Sequence, residues 1–251
     1  MTALGNFTAG SYRFIPGPFQ YSAGVVADSG FAIERVRFRR PVPLAAGFAR
    51  IDAHLAARGR PLTAFCACEL RSPAPFSEDG FTAFNRIYVG TLERWGVVKD
   101  EINPVARSNV CPAHAPPPEP GFHAFAYTVP ATDGSRPSFI TAGNAEAAEG
   151  PGPYRDRIVR PGDVSPDGLR AKARFVLIEQ ERRMALLGVG WSDTTATQLY
   201  TVYDAHALIA DEFAMRGAIE LGLTWHFARP PVAGLDFEMD ARGVVREFVI
   251  D

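Results

Sequence analysis

The sequence predicts an α+β protein made of two tandem units, each of the order β-β-α-β-α-β-β, with the helices of a unit packed on one face of its sheet. Three observations carry this. Each half holds two segments with apolar residues at helical spacing, short apolar strands alternate with them in the same order, and a connector rich in small and turn-forming residues, Ala131 to Pro137, lies between the halves. The units are accordingly 1–134 and 135–251.

Strand-like residues Gly24 to Phe38 open the first unit. From Pro43 a helix follows, with Leu44, Phe48, Ile51 and Leu55 at spacings of three and four, ending near Gly59. Leu62 to Leu70, bounded by Pro61 and Ser72, is the next strand. Ser77 caps a second helix whose apolar face carries Phe81, Phe84, Tyr88 and Leu92. Val105 to Cys111 and Phe122 to Val129 close the unit. The Pro-rich stretch Pro112 to Pro120 between them is longer than a hairpin requires, which suggests a functional loop.

The second unit opens with Ser138 to Val159. Ser165 caps a helix with Pro166 in its first turn, and Leu169, Ala173, Val176, Leu177, Met184 and Leu187 form its buried stripe before Gly188. Thr195 to Tyr203 is the matching strand, Asp204 caps a helix reaching about Gly217, and Leu223 to Arg229 and Leu235 to Ala241 close the unit.

Composition narrows the function. The 251 residues are 47% hydrophobic and 22% charged, which suits a globular chain of one large domain or two modest ones. A net charge of −2 gives no positive field to gather phosphates, so nucleic acid is not an expected partner. The basic cluster Arg37 to Arg40 reads as a solvated strand end. No run approaches the roughly eighteen apolar residues of a membrane span, so a soluble, cytoplasmic protein is expected. Cys66, Cys68 and Cys111 are odd in number and carry no zinc-finger spacing; no disulfide framework and no metal site are expected. Cys66 and Cys68 alternate along a strand and are predicted to share one face, as small core residues.

Three local features then resemble one family. Phe84-Asn85 followed by Tyr88 looks like the Phe-Asn-x-x-Tyr of the RidA (YjgF-type) family, and Pro104-Val105-Ala106-Arg107 is similar to that family's substrate-holding arginine stretch. Ala228-Arg229 stands at the equivalent place in the second half. The resemblance implies two tandem RidA-like (chorismate-mutase-like) modules. Ala-Arg-Ser-Asn-Val-Cys at 106–111, in a fused pair of this length, looks most like the 2-aminomuconate-type deaminases. The family's last-strand glutamate falls on Asp236 or Glu238 in the second unit and near His123 in the first. The activity implied by the resemblance is that of a cofactor-free hydrolytic deaminase of an unsaturated enamine or imine acid, assembled as a homo-oligomer, a trimer by analogy. A chorismatase-like hydrolase, a broad 2-iminoacid deaminase and a non-catalytic ligand-binding module are the alternatives.

The chemistry selects the candidate residues. Holding a small carboxylate substrate calls for a planar, permanently charged clamp, and Arg107 and Arg229 are the candidates, with Ser108, Asn109 and Cys111 on the same strand as Arg107. Moving a proton onto an enamine calls for an acid. His123, Glu238 and Asp236 are the candidates, the last two alternating with Asp240 along one predicted strand face. His123 is expected to share its face with Phe125 and Tyr127, and His226 to pack beside Trp225.

Overall fold

Ser77 and Ser165 cap the second and third helices as their positions predict, each side-chain oxygen accepting from the backbone N–H three residues on. A computed structural model describes residues 3–131, 136–150 and 152–251; the middle of the connector, including the 134/135 boundary, lies outside the described residues. The helices are α1 (Leu44–Ala57), α2 (Glu78–Arg94), α3 (Pro166–Leu187) and α4 (His206–Leu208). Gly188 ends α3 at a φ of 76°. After α4 the chain continues through a π turn at Ile209–Phe213 and a 3-10 turn at Ala214–Arg216.

The strands in chain order are β1 (Gly5–Phe7), β2 (Tyr12–Ile15), β3 (Gly24–Ala27), β4 (Phe31–Pro43), β5 (Phe65–Arg71), β6 (Ala106–Pro112), β7 (Gly121–Pro130), β8 (Phe139–Ala145), β9 (Ala196–Tyr200), β10 (Thr224–His226), β11 (Ala228–Arg229), β12 (Glu238–Gly243) and β13 (Arg246–Ile250). They form two sheets whose centres repeat one another. The first contains β6-β5-β7-β4 and the second β10-β9-β12-β8, and in each the outer pair, β6 with β5 or β10 with β9, is parallel.

Helices cover the outer face of each sheet. Phe48, Ile51, Phe84, Tyr88 and Leu92 from α1 and α2 pack on Phe65, Leu70, Phe122 and Phe125, while Leu169, Ala173, Val176 and Leu177 from α3 pack on Leu199, Phe237 and Met239. The inner faces meet over small side chains, Ala67, Ala106, Ala126 and Ala142, with Tyr12 and Val25. Short residues let two backbones approach closely there, so groups on β6 and β12 come within direct hydrogen-bonding distance.

The sheets also exchange edge strands, which sequence order did not foretell. Gly24 to Phe38 is a pair of strands in different sheets: β3, with β2 and β1 beyond it, extends the second sheet at β8, whereas β4 belongs to the first. Leu223 to Arg229 likewise splits, β10 joining β9 and β11 joining β6 in the other sheet. β13 adds in parallel to β4. Ser138 to Val159 yields only β8 and then a loop with a 3-10 turn at Tyr154–Asp156 and an isolated bridge from Ala147 to Ile158.

Two bulges and one strand end correct three predicted faces. One between Phe65 and Ala67 turns Cys66 toward the inter-sheet core and leaves Cys68 against the Tyr88 hydroxyl on the helix side, so the two do not share a face. His123 is the extra residue of a second bulge. It therefore faces Glu69 and His226, opposite to Phe125 and Tyr127, which pack toward His54. Asp236 precedes β12 and bonds Lys172 of α3, so it does not line up with Glu238 and Asp240.

Candidate functional site

Arg107 is 3% exposed, yet among the described residues no carboxylate pairs with it. Burying a guanidinium without a counter-ion is costly, so the site is built to receive an anion. Its Nη1 donates to Asn85 Oδ1 at 2.6 Å, and its cation lies 5.0 to 6.0 Å from the ring centres of Tyr88, Tyr21, Phe81 and Phe84. Register explains the placement. Arg107 pairs with Cys68 on parallel β5 and so shares its helix-side face, directly under α2.

A cleft with about 510 Å³ of unfilled space, including its open mouth, lies over Arg107. The first half supplies Tyr21, Phe81, Arg107 and Asn109, and the second supplies Gly143, Asn144, Glu149, Tyr154 and Glu238. Each half alone leaves the site incomplete. Asn109 accepts from the Ser72 hydroxyl at 3.0 Å, while its Nδ2, and that of Asn85, are buried donors without partners among the described residues. Unpaired buried donors beside an unpaired cation favour a carboxylate guest.

Glu238 stands across the cleft. Burial raises its carboxyl well above the usual carboxylate range, and the neighbouring Asp240 adds to the effect, which favours the protonated acid. Space for it comes from a bulge in β8, where the residues between Thr141 and Asn144 face a shorter stretch of β12. A Cβ at Gly143 would collide with Glu238 Oε1. The bulge frees backbone groups, and α3 satisfies them: Gln180 Nε2 donates to the carbonyls of Ala142 and Met239, and Arg183 Nη1 to that of Ala142. This is why an otherwise amphipathic helix buries a glutamine and an arginine.

The other predicted residues lie elsewhere. Ser108 faces the inter-sheet space and donates to Asp240 at 2.5 Å. Cys111 does not line the cleft, and burial pushes its thiol up to about 12. Asp236 is bonded to the buried Lys172 Nζ at 2.5 Å, and Glu146 approaches the same nitrogen at 3.4 Å while accepting the N–H groups of Asp236 and Phe237. His123 is driven down to about 2, by burial first and then by Arg71, so it stays neutral. His226 stacks on Tyr200.

Arg229 is not the counterpart of Arg107. It lies on β11 opposite Cys111, in the first sheet, with its Nη1 at 3.3 Å from the Tyr203 hydroxyl and 4.0 Å from Asp236. By parallel register, Trp225 stands on β10 opposite Leu199, as Arg107 stands on β6 opposite Cys68. The Pro-rich loop after β6 contributes no residue to the cleft. Sequence reasoning missed Tyr21, Gly143, Asn144, Glu149 and Tyr154; only the glycine inside an apolar strand carried a signal, that of a bulge.

Comparisons with known proteins agree with this arrangement. A family model described as 2-aminomuconate deaminase CnbZ matches residues 4–248. The 2-amino-5-chloromuconate deaminase of Comamonas testosteroni is 56% identical over 245 residues, which cover 97% of this chain and 98% of that protein. A chorismatase crystal structure superposes with a TM-score of 0.50 at 13% identity, over 88% of this chain and 77% of that one, a likeness of fold. The YjgF gene product of E. coli matches 46% of this chain and 85% of its own, at 20% identity and a TM-score of 0.33. The likeness to the chorismatase bears out the α+β fold, and the chain belongs to the CnbZ family of 2-aminomuconate deaminases, enzymes that act on a C–N bond.

Proposed function

We propose that this protein is a hydrolytic deaminase of 2-aminomuconate-like enamine acids. The observation that carries the reading is a buried Arg107, without a carboxylate partner among the described residues, facing the buried Glu238, whose carboxyl is raised by that burial, across one cleft. Arg107 and the free Nδ2 of Asn109 hold the carboxylate next to the amine-bearing carbon. Glu238 gives its proton to a carbon of the conjugated chain, and the enamine C=C becomes a C=N iminium. Water then adds to the iminium carbon while the Glu238 carboxylate takes a proton from the water. The resulting carbinolamine expels the nitrogen as ammonia, the C–N bond breaks, and a 2-oxo acid is left. The sum is one enamine and one water giving one 2-oxo acid and one ammonia.

Freshly generated 2-aminomuconate, 2-aminoacrylate and chorismate, each followed for ammonia or pyruvate release, test the substrate class. Turnover of the first above the other two is expected. Glu238→Gln is expected to lower kcat by about 10²- to 10⁴-fold with KM little changed. Arg107→Lys, which keeps charge and loses the planar fork, is expected to lose about 10²-fold or more in kcat/KM. Rates near wild type in either variant would remove that residue from the chemistry.

A further inference from the structure

Asp240 has no place in the reaction as written, yet it is the most heavily engaged carboxylate between the sheets. It is 4% exposed and accepts from Ser108 Oγ at 2.5 Å, Tyr200 Oη at 2.8 Å and Gln198 Nε2 at 2.8 Å. Three donors directed at one carboxylate suit its ionised form, which has no proton of its own to place. Two features of its position matter. Ser108 lies between Arg107 and Asn109 on β6, so its bond to Asp240 fastens the substrate-holding strand to β12. Asp240 also stands two residues from Glu238 on the same strand face, about 7 Å along the chain.

We propose that Asp240 is a positioning residue for the deamination: it ties the strand of Arg107 to the strand of Glu238 through Ser108 and holds a negative charge, met by three donors, beside the Glu238 carboxyl. The inference rests on Glu238 being the proton donor. A clamp between the strands sets the gap across which a bound enamine meets its acid. The charge acts separately, since a carboxylate beside a second carboxyl disfavours ionisation of the latter. Glu238 is faced by Asp240 on β12, Arg71 on β5, Arg107 and Cys111 on β6, Glu146 after β8 and Tyr200 on β9, and it shares the cleft with Tyr21, Glu149 and Tyr154. The two arginines oppose the effect of Asp240, and Glu146 adds to it. Asp240 in turn is raised by its burial and by Glu69, while the bonds from Ser108 and Gln198 and the charge of Arg242 favour its ionised form.

The clamp and the charge separate experimentally. The protonated-carboxyl infrared band that Glu238→Gln removes is titrated alongside the pH dependence of kcat in wild type, Asp240→Asn, Asp240→Glu and Ser108→Ala. Activity requires protonated Glu238 and is lost as pH rises through its pKa. Asp240→Asn is expected to move that limb and the band to lower pH by about one unit or more, a tenfold change in proton affinity. Asp240→Glu is expected to restore the wild-type limb. Ser108→Ala is expected to lower kcat/KM about tenfold with the limb in place. Where Asp240→Asn does not fold, Asp240→Ser reads the same charge loss in a smaller side chain. An unmoved limb and band without the charge, or inactivity equal to that of Glu238→Gln, overturns the proposal. Failure of Glu238 as donor shows differently, as full activity in Glu238→Gln.

Discussion

Asn85 Oδ1 receives Arg107 Nη1 at 2.6 Å, and this bond, from a buried amide on α2 to a buried cation on β6, fixes the plane of the guanidinium without neutralising it. An amide is the suitable partner, because a carboxylate there would occupy the anion site from within. Asn85→Asp tests the point. A salt bridge to Arg107 is expected, with the fold intact and KM for the carboxylate substrate raised at least about tenfold. Asn85→Ala leaves the cation free but unoriented, so kcat is expected to fall more than KM rises. Steady-state kinetics on both variants distinguish the two effects.

Gly143 makes room for the acid. An added Cβ meets the end of the Glu238 side chain on one side and, at 3.2 Å, the backbone of Ser108 on the other. The backbone yields less readily, so Gly143→Ala is expected to displace Glu238. Stability is expected to fall by about 1–3 kcal/mol, typical of overpacking, and kcat by a larger factor than the affinity for a non-reactive carboxylate analogue. Denaturant unfolding and analogue titration measure the two; an unchanged kcat would place the reacting proton elsewhere.

The first three helices and the candidate anion clamp were legible in the sequence, and the reason is local, whereas the helix expected from Asp204 to Gly217 is a single turn at His206–Leu208 followed by π and 3-10 turns. Ser77, Ser165, Pro166 and Gly188 act within one turn of where they stand, and a lone arginine flanked by Ser108 and Asn109 on an apolar strand is visible without knowing what it faces. The features that the sequence concealed are long-range. A strand's alternation predicts faces only while its register holds, and the bulges at Cys66, His123 and Gly143 each reverse or offset it. Ala228–Arg229 joins the first sheet because the chain leaves β10 at Phe227, a change of partner with no turn residue to announce it. Arg229 therefore looked like a duplicate of Arg107, and the acid pair looked like three carboxylates in a row.

His123 and His226 make the protein less stable in mild acid. Burial lowers both, His123 to about 2 and His226 to about 4, against about 6.5 in the unfolded chain. Below pH 6.5 the unfolded state binds protons that the native state refuses, so stability falls as pH drops from about 6.5 toward 4. The raised carboxyl of Glu238 acts in the opposite direction, contributing most at low pH and fading as pH rises. Replacing His123 by Gln removes one of the two histidine contributions while leaving Glu238 alone. The slope of unfolding free energy against pH between 6 and 4.5 is expected to become shallower by close to one proton; an unchanged slope would mean that His123 is already charged in the native state.

Lys172 is a buried cation of the opposite kind to Arg107, one that is paired. It is fully buried on α3 and compensated twice, by Asp236 at 2.5 Å and by Glu146 at 3.4 Å, and Glu146 also caps the N–H groups of Asp236 and Phe237 just before Glu238 enters β12. Removing the cation strands two carboxylates in a dry interior, so Lys172→Met is expected to cost about 3–5 kcal/mol of stability. Adding Asp236→Asn to it removes one stranded charge and is expected to recover part of that loss, a coupling that a double-mutant cycle reads directly. Activity per folded molecule separates fastening from chemistry. If the cluster only fastens the start of β12, the double variant keeps most of its turnover at a temperature where it is folded; if Asp236 carries a proton in the reaction, turnover stays low however much stability returns.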